Sequence, residues 1–137
     1  MKEKKSIYRT DCPVSTALDI YGDKWSLLII RDMIFKGKNT YGDFLDSKEN
    51  IATNILADRL ALLEREGIIS RAKHPDSKAK ILYQLTDKGI DLIPVLIEII
   101  TWGEKYYDVH MPFKKLDKKL EKDKEGVIKK LYKRLRK

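Results

Sequence analysis

The stretch from Asn50 to Leu85 constrains this chain more than any other. It opens NIATNILADRLALLEREG, with apolar residues at helical intervals and a glycine at the end, which predicts a helix from Ala52 to Glu66 stopped by Gly67. Two short apolar runs follow, Ile68 to Lys73 and Ile81 to Leu85, separated by the polar turn His74 to Lys80. Apolar runs on either side of a polar turn predict a two-stranded hairpin, packed through Ile69, Ile81, Tyr83 and Leu85. Projected at about 100° per residue, the helix turns Ala52, Ile55, Leu56, Leu60, Leu62 and Leu63 inward. Asn50, Thr53, Asn54, Ala57, Asp58, Ala61 and Arg65 fall on the opposite face. Arg59 projects among the apolar residues, so its head must pair or reach outward along a packed stem.

The flanking segments supply the rest of one core. Pro13 suits the first turn of a helix that carries Val14, Ala17, Leu18 and Tyr21 and ends at Gly22. Asp23 then caps a second helix, Lys24 to Phe35, apolar over most of its surface through Trp25, Leu27, Leu28, Ile29, Ile30, Met33 and Ile34. It should be the most buried element, and Gly37 stops it. Tyr41 to Leu45 reads as a short helix with Phe44 and Leu45 inward, and 46–50 as the turn into the long one. Thr86 caps a last core helix from Asp87 to about Tyr106, which Pro94 should kink or divide. Leu92 to Trp102 is apolar nearly all round; one small core cannot cover such a helix, and a second subunit is its natural cover.

Length and composition set the outer limits. At 137 residues, with 42% hydrophobic and 36% charged, the chain can bury a core and fits neither a disordered nor a membrane class. The longest apolar run is too short to span a bilayer, and MKEKKSIYRT lacks the apolar region of an export signal. A single cysteine excludes an internal disulfide, and a cytoplasmic location is the default expectation. The net charge of +8 is unevenly placed: residues 113–137 hold 12 Lys+Arg against 4 Asp+Glu, so 1–112 are neutral overall. Phe113, Leu116, Leu120, Val127, Ile128, Leu131, Tyr132 and Leu135 recur at helical intervals there, interrupted by Gly126, which predicts one or two amphipathic helices. Three units follow: a flexible arm 1–10, a core 11–107 and a basic helical extension 108–137.

A short helix, a turn, a long helix and a hairpin form a winged helix-turn-helix, whose second helix enters the DNA major groove. The predicted fold is therefore mainly α with a small β-hairpin wing. Thr53, Asn54, Ala57 and Asp58 are the candidates for base readout, and Asn can pair bidentately with adenine. Asp58 could accept from cytosine N4 or be solvated; the residues favour neither. Lys78 and Lys80 of the wing are candidate phosphate contacts, with Lys48, Arg59 and His74, although His74 could equally be a plain turn residue. The tail lysines read as a solvated face, or as non-specific DNA attachment.

The chain also resembles the HxlR family of bacterial regulators, relatives of MarR-type winged-helix proteins. The matching segments are Cys12-Pro13-Val14, Gly22-Asp23-Lys24-Trp25 with the following Leu27-Leu28-Ile29, Ile51 through Leu56, Arg59-Leu60, Leu63-Glu64 and Glu66-Gly67-Ile68. They continue through Tyr83-Gln84-Leu85-Thr86-Asp87-Lys88-Gly89 and Leu92-Ile93-Pro94-Val95-Leu96 to Trp102-Gly103. The resemblance covers about 11–107. It implies a homodimer joined by terminal helices on a two-fold symmetric operator, acting as repressor or activator. Val14, Leu18, Val95, Ile99, Trp102 and Tyr106 are then the candidate dimer interface. The chain departs from the family at Ala52, where Ser is common, at Asn54, where a basic residue is common, and in its longer tail.

Some family members answer oxidants or electrophiles through a cysteine before the first helix, the place of Cys12. A helix N-terminus favours the reactive thiolate, with Arg9 assisting and Asp11 opposing; the plainer reading is an inert interface cysteine. His74 and His110 lack partners at ligand spacing, so no metal or other cofactor is expected. No nucleophile triad, phosphate loop or paired carboxylates support an enzyme. The near-neutral core keeps open a different class, a winged-helix module that binds protein and not specific DNA.

Overall fold

The computed structural model describes residues 9–112 and 116–136. Most of the predicted arm, with Ile7 and Tyr8, lies outside the described residues, as does Phe113. Three helices come first: α1 (Pro13–Tyr21), α2 (Ser26–Phe35) and α3 (Tyr41–Leu45). The long helix α4 (Thr53–Arg65) leads into an antiparallel hairpin of β1 (Ile69–His74) and β2 (Ser77–Leu85). α5 (Asp87–Ile90), α6 (Ile93–Tyr106) and α7 (Leu116–Leu135) complete the order. Among the described residues the strands form one two-stranded sheet. The fold is a winged helix-turn-helix.

α2 runs through the middle, burying Ile29, Ile30, Met33 and Ile34 against Leu56, Leu60 and Leu63 of α4 and Ile93, Leu96 and Ile97 of α6. Each such side chain contributes about 1.5–3 kcal/mol by leaving water. α4 ends through the glycine that the sequence singles out. Gly67 has φ +73°, its N–H donates to Glu64 O at 3.0 Å, and Ile68 N–H donates to Leu63 O at 2.9 Å. Those two bonds close the last turn and swing the chain into β1. Thr86 fastens the other end of the hairpin: its Oγ1 donates to Gly67 O and accepts Gly89 N–H, capping α5.

Several boundaries differ from expectation. α2 begins at Ser26, not Lys24, with Trp25 at its capping position; Asp23 holds the turn just ahead of it, its Oδ2 accepting the N–H groups of Trp25 and Ser26, both at 2.9 Å. The expected Asp87–Tyr106 helix is divided just before Pro94 into α5 and α6. The wing is longer than its apolar content suggests. Pro75-Asp76 is the whole turn, so Lys78 and Lys80 lie within β2 and not in a loop. Ile81, expected to pack, is 41% exposed opposite Lys73, beyond the reach of the core. In the tail the helix breaks at Asp123 (φ −155°, ψ 73°), three residues before Gly126. Leu116, Leu120 and Leu131 of α7 are buried in the chain's own core.

Candidate nucleic-acid interface

α4 presents Thr53, Asn54, Ala57, Asp58, Ala61 and Arg65 to solvent while Leu56, Leu60 and Leu63 are buried, as helical projection predicts. Ala52 and Ile55 depart from it. Both are exposed rather than inward, since they sit at the edge of the apolar stripe, where α2 and α3 no longer cover the first turn. Ile55, Asn54 and Asp58 line a shallow depression with Asp23, Trp25 and Arg59. The N-terminus of α4 has no side-chain cap: Ala52 occupies the capping position and Asn50 takes a left-handed φ of 56°. Tyr41 of α3 anchors that turn instead, its hydroxyl donating to Thr53 O at 2.9 Å.

Arg59 settles the question its position raised. Its Nε donates to Asp58 Oδ2 at 3.1 Å, and its Nη1 lies 3.3 Å from Asp23 Oδ1. One guanidinium thus joins the exposed side of α4 to the Asp23 carboxylate before α2. Burial pushes the Asp23 carboxyl up, but the Ser26 hydroxyl, the two backbone N–H groups and Arg59 outweigh it and leave its pKa below the usual value. Asp58 stays largely open, with 66% of its side chain exposed, and points its charge toward Arg59.

A second network, which sequence reasoning missed, braces the turn before α4. Arg31 binds Glu49 through both carboxylate oxygens at 3.0 Å and Asp32 through Nε at 2.9 Å. Asp32 is buried, with Lys36 and Lys38 each 3.8 Å from it. The bidentate bond to Arg31 holds the Glu49 carboxyl at a pKa of about 2. A charge pair, Arg31-Asp32, inside an otherwise apolar helix was the available signal.

The wing carries Lys73, Lys78 and Lys80 exposed along its strands. Arg71 is engaged by Glu64 of α4 at 2.9 Å, which ties wing to helix. His74 closes the turn, its Nδ1 accepting Asp76 N–H at 3.1 Å. Lys48 is exposed ahead of α4. The wing also leans on the segment before α3, Tyr83 N–H donating to Asn39 O at 2.7 Å. α4, the wing and α3 are therefore held as one unit.

This geometry agrees with the sequence match: a family model described as HxlR-like helix-turn-helix covers residues 20–111. The chain belongs to the HxlR family. Among HxlR relatives, the HTH-type transcriptional regulator YdeP of Bacillus subtilis is 38% identical over 97 residues, 71% of this chain and 75% of YdeP. The solved structure of the redox regulator HypR in its oxidized form is 32% identical, with a TM-score of 0.63 over 72% of this chain and all of HypR. The reduced form of the transcriptional regulator YodB from B. subtilis is 28% identical, TM-score 0.56, over 71% of this chain and 95% of YodB. The chain is a helix-turn-helix transcriptional regulator of HxlR type. No helix among the described residues is long and apolar enough to cross a membrane.

The remaining HxlR-type features lie away from α4. α1 has no buried residue; Val14 is 67% and Leu18 54% exposed. On α6, Ile99, Trp102 and Tyr106 are exposed and Val95 half-buried, and Trp102 stacks its ring near those of Tyr106 and Tyr107. Cys12 is exposed at the start of α1. Arg9, expected to favour its thiolate, instead pairs with Asp19 at 2.6 Å and donates to Ser15.

Proposed function

We propose that the chain works as a homodimer on a two-fold symmetric operator, with α4 of each subunit in a major groove. Thr53, Asn54, Ala57 and Asp58 read base edges, and Lys48, Lys78 and Lys80 hold phosphates. The observation that carries this reading is the face of α4: small, polar and open at its N-terminal end, on a helix anchored by Tyr41, Arg59 and the Arg31–Glu49 brace. Arg59 and His74 shape the surface and leave phosphate contact to the lysines. The open apolar faces of α1 and α6, Val14, Leu18, Val95, Ile99, Trp102 and Tyr106, supply the dimer contact, where burial would remove a patch costly to leave in water. Fluorescence anisotropy with DNA from upstream of its own gene, beside scrambled DNA, tests it at two salt concentrations. Tighter binding to the upstream DNA that survives higher salt supports it. Equal binding that collapses with salt assigns the contact to unspecific charge, and no binding at all favours a protein-binding module.

A second reading concerns the signal. Cys12 is exposed beside the open Val14 and Leu18 face, so a group added to its sulfur would stand at the proposed subunit contact. HypR and YodB, solved in oxidized and reduced forms, are the family precedents. With one cysteine in the chain, oxidation would join two subunits or capture a small thiol. Alkylation should then weaken operator binding in the natural protein and leave Cys12→Ser unchanged.

A further inference from the structure

The family match ends at residue 111, and α7 lies beyond it. Its two halves are set at an angle by Asp123, whose Oδ1 accepts Gly126 N–H at 3.0 Å and so restarts the helix. Gly126 makes the bend feasible, because a Cβ there would collide with the Asp123 carboxylate. Arg134, near the far end, donates to the carbonyl of Ile34 in α2 and fastens the second half to the central helix.

Between the two halves and the end of α2 lies a groove of about 550 Å³. That volume is within the range of small-molecule sites. Among the described residues its floor includes Phe35, Val127 and Leu131, all contributing to the core. Lys119, Lys122, Lys130 and Arg134 also line it, and the one carboxylate lining it among the described residues, Asp123, accepts the Gly126 N–H. With Arg134 engaged by the Ile34 carbonyl, the three exposed lysines leave the groove a positive surplus that an anion would offset. A bare inorganic ion would leave the floor wet, and a neutral amphiphile would leave the lysines uncompensated.

We propose that this groove binds a small free carboxylate with an apolar body, its chain on the Phe35–Val127–Leu131 floor and its carboxylate among the lysines. The test uses the full chain without DNA, so its result is independent of the operator reading. Calorimetric titration with decanoate should show saturable binding at one site. Decanol, which lacks the charge, and acetate, which lacks the chain, should each bind at least about tenfold more weakly. Lys119→Glu with Lys130→Glu, both exposed, should weaken decanoate by about tenfold or more with circular dichroism unchanged. The single change Lys122→Glu gives a second readout should the pair disturb folding. Absence of saturable decanoate binding, equal binding by decanol, or undiminished binding by both variants would overturn the proposal. Recruitment to phosphatidylglycerol vesicles without decanoate binding would overturn it in favour of a membrane surface.

Discussion

Asn54 is the second residue of α4, exposed on the face proposed to meet bases. A bidentate amide–adenine pair discriminates by about 1–3 kcal/mol, so Asn54→Ala should narrow the preference for operator over scrambled DNA by roughly tenfold or more. Anisotropy on both DNAs reads that ratio directly. Glu49 makes a different kind of prediction. Its pKa falls from 4.5 to about 2 on folding, so its contribution is complete above pH 4.5 and is lost as pH drops toward 2. Glu49→Gln should therefore flatten the acid limb of stability in that window, seen in thermal melts across pH. The effect is modest, because 36% of the carboxylate side chain is exposed to screening water. At this scale the sequence disclosed roles more readily than partners. Asp23 was legible as the anchor for the start of α2 because Asp before an apolar helix has that job, and Arg59 as a residue in need of a partner. Asp58, the residue before it, is one partner; that Asp23, 36 positions away, is the other depends on how α2 meets α4, which no local pattern encodes. Arg9 is a similar case: Cys12 is near it in sequence, but the ion pair it makes is with Asp19, ten positions on.

Among the elements, α4 and its stop were the most legible, because helical periodicity, Gly67 and the following apolar run all agree. The wing was not, since a strand outside the core is defined by cross-strand hydrogen bonds and not by apolar content. Lys78, Ala79 and Lys80 look like a loop and lie within β2, bulged out between the Ser77–His74 and Ile81–Lys73 pairs. Their placement sharpens a prediction. If each lysine meets one phosphate, Lys78→Ala and Lys80→Ala should each lower the slope of log affinity against log salt by about 1 and weaken all sequences alike. Gly89 tests the joint between wing and α5. A Cβ there would run into the Ile68 carbonyl and approach the Leu85 side chain at 2.9 Å, so Gly89→Ala should cost about 1–3 kcal/mol in denaturant unfolding. Gly67→Ala meets open space and bears only the cost of its positive φ, about 1 kcal/mol, so the two glycines should separate clearly. In α7 the break was expected at Gly126, but it falls at Asp123, because the carboxylate needs the glycine three residues on to receive it.

At the scale of the whole molecule, the extension and the proposed dimer face are separate surfaces. α7 takes one side of α6, with Lys124 paired to Glu98, Tyr132 donating to Asp91 and Arg136 beside both Asp87 and Asp91. Trp102, Tyr106 and the α1 face stay open. The apolar surplus of Leu92 to Trp102 is thus shared between the chain's own tail and an open face, a division that composition cannot reveal. Sedimentation should find a dimer for the natural chain, and Leu18→Asp with Trp102→Ala should shift it toward monomer with helical content kept. A dimer of this kind would read two inverted half-sites. Selection of bound duplexes from a random-sequence pool tests it most directly. Enrichment of an inverted repeat whose half-sites lie about one helical turn apart is expected, and its loss with Leu18→Asp plus Trp102→Ala. Recovery of a pool with no shared sequence would contradict it.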